Sequence, residues 1–167
     1  MSATTAKTFF VEGYQPGYIG RIVELHGSYY SQEWGSGVQF ESLMAIELSE
    51  FCQHYQPDRD LLLTAHADGE LIGSIAEHGS QSSDRSARLR WFILDAAYRG
   101  RGIGREMLKR VLAFCRQQQF DSVYLWTVDR LPQSRHLYES AGFRVVEQVP
   151  DSRYGVPLLN LKMELSL

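Results

Sequence analysis

Along the 167-residue chain the spacing of hydrophobic positions changes several times, and each change marks an element. Thr8 to Glu12 alternate weakly, as a short first strand would. After Pro16 and Gly17 the period lengthens: Ile19, Ile22, Val23, His26, Tyr29 and Tyr30 recur at three- and four-residue steps, the stripe of a helix. Beyond the Gly35-Ser36-Gly37 break a second stripe holds Phe40, Leu43, Met44, Leu48, Phe51, Cys52 and Tyr55 and ends before Pro57. Leu61 to Ala65 and Leu71 to Ala76 are apolar runs flanking Asp68-Gly69, a dipeptide suited to the positive-φ turn of an antiparallel hairpin. Gly79 to Asp84 is a polar loop. Ala87 to Leu94 reads as a long strand, and a Gly-rich segment leads from it into a helix whose core face is Ile103, Met107, Val111 and either Phe114 or Cys115. Val123 to Val128 is another strand, Pro132 to Ala141 a short helix with Gly142 where a left-handed cap ends one, and Phe143 to Val149 and Leu158 to Leu165 are two closing strands.

The order β-α-α-β-β-β-α-β-α-β-β predicts an α/β (α+β) fold. It is a mixed, mostly antiparallel, six- to seven-stranded twisted sheet flanked by about four helices, with one crossover giving one parallel pair. No repeat, polar linker or low-complexity tract divides the chain, so residues 8–167 read as a single domain.

Charge then narrows the function. Seventeen Lys+Arg against 20 Asp+Glu give −3, which argues against a protein that wraps nucleic acid. The total conceals two opposed regions: residues 88–116 carry eight basic and two acidic side chains, or +6, and the remainder carries −9. Such a field steers an anion to the positive segment and is compatible with a cationic acceptor elsewhere. Cys52 and Cys115 have no CxxC partner and read as a reduced pair in a cytoplasmic protein. The five histidines form no HxxxH pair, and no metal is expected. The N-terminus lacks the apolar run of a signal peptide and no stretch approaches the ~18 residues of a membrane span, so no membrane partner is expected.

The informative segment is Tyr98 to Arg105, YRGRGIGR, between a strand and a helix. Gly100, Gly102 and Gly104 carry no Cβ, so the backbone can turn tightly and converge its N–H groups on one ligand. The first turn of the following helix adds unpaired N–H groups and the positive end of its dipole. These features describe a diphosphate cradle. Its spacing fits neither the GxxxxGK[ST] of a P-loop nor the GxGxxG of a dinucleotide fold.

Arg99-Gly100-Arg101-Gly102-Ile103-Gly104 resembles the [RQ]-x-x-G-x-[GA] signature of the GNAT superfamily of acyl-CoA-dependent N-acyltransferases. Leu137-Tyr138-Glu139-Ser140-Ala141-Gly142-Phe143 resembles the family's later LYExxGF block, and the element order is similar over about residues 8–167. Leu25 to Tyr30, Glu33 to Gly35 and Leu125 to Thr127 look like a subgroup found fused behind a MarR-type DNA-binding domain; with only a few residues before the first strand, no such domain is expected in these 167 residues.

The resemblance implies a fold, a cosubstrate and a set of roles. Acetyl-CoA would bind with its pyrophosphate on Arg99, Gly100, Arg101, Gly102, Ile103, Gly104 and Arg105. Phe92, Ile93 and Leu94 lie on the strand that splays from its neighbour in this family, where backbone groups pair with the pantetheine arm and stabilise the thioester oxygen. Tyr138, a phenol of pKa about 10 facing a leaving thiolate of about 8.5, would be the general acid. Leu131 stands where many members have an asparagine, and Ser134 offers a hydroxyl contact instead. For the base, Glu33 in the turn between the first two helices is preferred to Glu77 and His78.

The implied reaction is direct attack of a primary amine on acetyl-CoA in a ternary complex, without a metal or a covalent acyl-enzyme. The alternative is a non-catalytic acyl-CoA-binding or regulatory module. Tyr29, Tyr30 and Trp34 are candidates for an aromatic wall around an acceptor, and a small amine, an amino acid, an antibiotic and a peptide amine all stay open. Exposure of the last strand leaves a homodimer open.

Overall fold

The computed structural model describes residues 7–79, 85–152 and 156–167, so most of the expected Gly79 to Asp84 loop lies outside the described residues. The elements are β1 (Phe9–Glu12), α1 (Tyr18–Trp34), α2 (Val38–Gln53), β2 (Asp60–Ala67), β3 (Glu70–His78), β4 (Ser86–Leu94), α3 (Ile103–Gln117), β5 (Ser122–Val128), α4 (Pro132–Ser140), β6 (Arg144–Asp151) and β7 (Leu158–Ser166), with a 3-10 turn at Ala96–Tyr98. The seven strands form one sheet in the order β1-β2-β3-β4-β5-β7-β6. β4 and β5, joined through α3, are the parallel pair, and the other neighbours are antiparallel. The expected mixed, mostly antiparallel sheet with four helices is the fold observed.

Two apolar clusters sandwich the sheet. On one face α3 lays Ile103, Met107, Leu108, Val111, Leu112 and Cys115 against Leu63, Ile75, Leu125 and Met163, with Tyr138 of α4 in the same cluster. A fully buried side chain of this size contributes about 1.5–3 kcal/mol, which is why the stripe predicts the helix so well. Cys115 rather than Phe114 is the buried end of that stripe. On the other face α1 and α2 cover Leu62, Leu71 and Ala76 with Ile22, Val23, Met44, Leu48 and Phe51. The α2 stripe is narrower than its sequence suggests, because Leu43 is exposed.

The Asp68-Gly69 hairpin has the positive φ at both turn residues, 53° and 83°, that the dipeptide predicts. The expectation about the last strand needs correction. β7 is internal, paired with β5 on one side and β6 on the other, so both of its edges are used and the outer strands of the sheet are β1 and β6. Among the described residues no helix is long and apolar enough to cross a membrane.

Candidate active site

The cleft begins where β4 and β5 part. They pair at Ser86, Ala87 and Arg88 against Ser122, Val123 and Tyr124, and no pairing continues beyond Arg88. Both strands run on, β4 to Leu94 and β5 to Val128, so each presents an unpaired backbone edge to a widening opening.

A bulge in β4 accompanies the parting. Against β3, Arg90 stands opposite Ala76 and Ile93 opposite Ser74, which leaves Trp91 and Phe92 facing the single residue between. Trp91 takes φ 46°, a rare conformation for a bulky side chain, and the Ser74 hydroxyl donates to its carbonyl at 2.7 Å. The bulge sends the two aromatic rings apart. Trp91 packs against Phe51 of α2 at 5.2 Å between centroids, whereas Phe92 lies 6.1 Å from the Tyr138 ring. Ile93 is buried and Leu94 half-buried at the end of the strand.

The Gly-rich loop follows. Gly100 and Gly102 have φ of 74° and 80°, and Gly102 is the N-cap of α3 without a side-chain cap bond. A residue with a Cβ would be strained at both positions. Among the described residues the amides from Gly100 to Arg105 donate to no protein acceptor. The Arg99 and Arg101 side chains turn back to brace the loop, donating to the carbonyls of Leu94 and Ala97 at 3.0 Å each. The Arg99 guanidinium also lies 4.8 Å from the Tyr29 ring centroid, tying α1 to the loop. Arg105 is exposed. A Cβ at Gly104 would meet Phe92 at 3.6 Å and Leu137 at 3.8 Å, ordinary contacts, so the protein's own packing does not require glycine there.

α4 carries the tyrosine. Pro132 starts the helix, and its C-terminus is a Schellman arrangement: Gly142, at φ 101°, donates to Glu139, and Phe143 donates to the Tyr138 carbonyl at 3.1 Å. The Phe143 ring then packs on the Tyr138 ring at 5.9 Å. The LYExxGF block therefore pins Tyr138 from both its backbone and its ring. Burial, with Tyr30 nearby, pushes its phenol well above the ordinary tyrosine range, so it stays protonated. Its hydroxyl makes no hydrogen bond to a described residue.

Tyr138 lines a cavity of about 630 Å³. Ser134, Leu131 and Phe92 line it too, as do Tyr30 and Trp34 of the proposed aromatic wall, whose rings stack at 4.6 Å. Glu33 is placed differently from its sequence assignment. α1 runs through Trp34 until the left-handed Gly35 caps it, so Glu33 lies within the last helical turn, exposed, and outside the cavity lining. Glu77 is fully buried on the α3 face, both oxygens unpartnered, and burial raises its pKa to about 9. His78 is buried against Phe51 at 4.9 Å. Cys52 and Cys115 are free, and burial pushes both thiols up, Cys52 to about 11, so neither offers a thiolate.

The polar groups that do line the cavity beside Tyr138 include His26, Glu47, Arg88 and Arg90, none of them singled out for chemistry by the sequence. His26 Nδ1 donates to the Ile22 carbonyl at 2.8 Å, so the proton sits on Nδ1 and Nε2 keeps a lone pair. Burial brings this imidazole down to about 4, and it is neutral at ordinary pH. Arg90 is ion-paired with Glu47 of α2 and stacks on Trp91 at 4.2 Å. The signals were present in the sequence, since His26 belongs to the first helical stripe and Arg88 and Arg90 alternate along β4, but both patterns read equally as structure.

The comparisons with known proteins agree with this geometry. Residues 19–143 match the family described as Acetyltransferase (GNAT) family. N-acetylaspartate synthetase of Xenopus tropicalis is 31% identical over 108 residues, 64% of this chain and 39% of that protein, so the chain spans about two fifths of that relative's length. An acetyltransferase of the GNAT family from Staphylococcus aureus superposes with a TM-score of 0.78 at 21% identity, covering 96% of this chain and 99% of its own. The yncA structure from Salmonella typhimurium, solved with its cofactor acetyl-CoA, gives 0.71 at 18% identity, over 96% and 94% of the two chains. The matched segment holds the parted strands, the Gly-rich loop and the α4 tyrosine together, and this chain belongs to the Acetyltransferase (GNAT) family.

Proposed function

We propose that residues 8–167 form one catalytic domain that moves an acetyl group from acetyl-CoA to a primary amine by direct attack in a ternary complex. The observation that carries the reading is the opening between β4 and β5, with a cradle of unpaired amides beyond its β4 edge and the Tyr138 cavity within it. The residues fit the cosubstrate. The amides of Gly100 to Arg105 and the first turn of α3 would hold its pyrophosphate, with Arg105 adding charge at the surface. The unpaired β4 edge at Phe92, Ile93 and Leu94 would take its pantetheine arm, and Ser134 would add a hydroxyl contact. When bound, acetyl-CoA supplies the thioester carbonyl and the thiolate leaving group.

The chain's own groups handle the protons. Tyr138 Oη, held protonated, donates to the leaving sulfur; because its pKa lies above that of a thiol, it shares the proton by a hydrogen bond and stabilises the charge. His26 Nε2 accepts from the acceptor amine and orients its lone pair, and as a weak base it passes the proton on to solvent in the cavity. Glu33 is the alternative proton acceptor, acting from outside the lining through water. The two free thiols, Cys115 buried and Cys52 half-buried, favour a cytoplasmic setting.

The test is CoA release across a panel of amines. Release that depends on both substrates, with a pH–rate profile whose acidic limb changes in His26→Gln and not in Glu33→Gln, supports this assignment. Tight acetyl-CoA binding with no release for any amine would leave a binding module instead.

A further inference from the structure

We propose that the acceptor carries a carboxylate beside its amine, and that Arg88 binds it; the acceptor class is therefore a free amino acid. This rests on the acetyl-transfer reading and specifies its second substrate.

Arg88 occupies the vertex of the opening. It is the last residue of β4 paired to β5, opposite Tyr124, and it lines the same cavity as Tyr138 and His26. Its neighbour on the same strand face, Arg90, is already satisfied by Glu47 and by the Trp91 ring. Arg88 is not. Among the described residues its side chain makes no hydrogen bond and no ion pair, and its Nε is buried without a partner.

An orphaned buried donor costs about 1–3 kcal/mol, more when charged, and protein structures rarely tolerate one without a reason. Its cross-strand neighbours are no remedy. Across β3 stands His78, which burial keeps neutral, and across β5 stands Tyr124, so neither brings a negative charge. A planar guanidinium fork with a free Nε matches a carboxylate, which accepts two parallel N–H bonds.

The cosubstrate's phosphates do not explain this cation. Arg88 and the start of the loop lie at opposite ends of the open strand, separated by six residues of β4, or about 20 Å at ~3.3 Å per residue. The loop has its own arginines. What remains is the acceptor. A group that must present its nitrogen near His26 and Tyr138 while reaching Arg88 within one cavity of about 630 Å³ is a small molecule bearing both functions. A protein N-terminus has no carboxylate next to its amine, and a plain alkylamine has none at all.

The experiment measures kcat/KM for CoA release with amino acids and with their own carboxamides, on the wild type, Arg88→Gln and Arg88→Lys. The wild type should prefer an amino acid over its carboxamide by about 100-fold. Arg88→Gln should collapse that ratio to within about threefold, through KM for the acceptor and not for acetyl-CoA, and Arg88→Lys should recover part of it as a point charge. Equal use of the carboxamides by the wild type, or an unchanged ratio in Arg88→Gln, would overturn the proposal while leaving acetyl transfer intact.

If no amine of either kind releases CoA, the acetyl-transfer reading fails and the site is judged by binding. Amino acids are then titrated calorimetrically into CoA-saturated protein. A loss of about tenfold or more in affinity in Arg88→Gln supports the carboxylate site, and equal or absent binding overturns it. Circular dichroism melts of both variants guard the comparison, and removal of an unpaired, half-buried guanidinium should not lower Tm.

Discussion

At the loop end of the cleft, the groups left without a protein partner are backbone amides of one contiguous segment, Gly100 to Arg105. At the cavity end they are side chains brought together from α1, α2, β4 and α4: His26, Glu47, Arg88, Arg90 and Tyr138. The first kind of site is fixed by local conformation, because positive φ at Gly100 and Gly102 and the start of a helix already determine where the amides point. The second exists only after four elements have packed. It follows that the loop end should answer to glycine substitutions and the cavity end to side-chain chemistry, with little exchange between the two.

Tyr138→Phe gives the largest effect and tests that separation directly. It removes the hydroxyl and keeps the ring against Phe92 and Phe143, so kcat should fall by about 100-fold or more while acetyl-CoA affinity stays within about threefold. Steady-state kinetics with calorimetry decides it, and a matching loss of affinity would merge the two ends into one site.

The cavity end also carries a pH signature that the loop lacks. His26 titrates at about 4 in the fold against 6.5 unfolded, so the unfolded chain binds the extra proton between those values. Its contribution is present above pH 6.5 and is lost as pH falls toward 4, on the order of 3 kcal/mol at most. Chemical denaturation across that window should show the loss, and His26→Gln should flatten it. Glu77, outside the cavity, acts in the opposite sense. It ionises at about 9 folded against 4.5 unfolded, so its contribution is full below pH 4.5 and fades as pH rises to 9. Glu77→Gln should remove that alkaline slope.

Gly102→Val places a β-branched side chain at φ 80°, a strain of about 1–2 kcal/mol, and moves the amides. CoA affinity should weaken by about tenfold. Activity lost through kcat alone would contradict the assignment of this loop to binding.

The smallest and sharpest change is Gly104→Ala. Its Cβ meets only ordinary contacts within the protein, and alanine is the better helix former by about 1 kcal/mol, so Tm should hold or rise. CoA affinity should nonetheless drop by about threefold, because the methyl group stands where a diphosphate approaches the helix start. Unchanged affinity would show that no ligand comes close there.

Much of the fold is legible in the sequence. Each boundary has a local cause: Asp68-Gly69 makes the hairpin, Gly35 ends α1, and Gly142 closes α4 under Tyr138. The turn at Gly100 and Gly102 and its unpaired amides are legible for the same reason. The cavity's remaining polar groups are not. His26 in a helical stripe and Arg88 and Arg90 in a strand carry no sequence mark that separates a ligand-facing residue from a packed or solvated one. Two elements lie differently from their sequence expectation. Glu33 stands in the last turn of α1 and not in the connection beyond it, and the last strand has no free edge to pair with another chain, because the chain returns to insert it between β5 and β6.

The sequence by itself determined the element order, most turn positions, and a run of unpaired amides set by the positive-φ Gly100 and Gly102 and a helix start, all through interactions within a few residues. Only the tertiary structure decided that β4 and β5 part after Arg88, that Glu47 neutralises Arg90 and leaves Arg88 unpaired, and that a neutral His26 shares a cavity with Tyr138. Those outcomes depend on which side chains distant segments bring together and on how much water the packing removes from around them. Neither quantity is a property of any short stretch of chain.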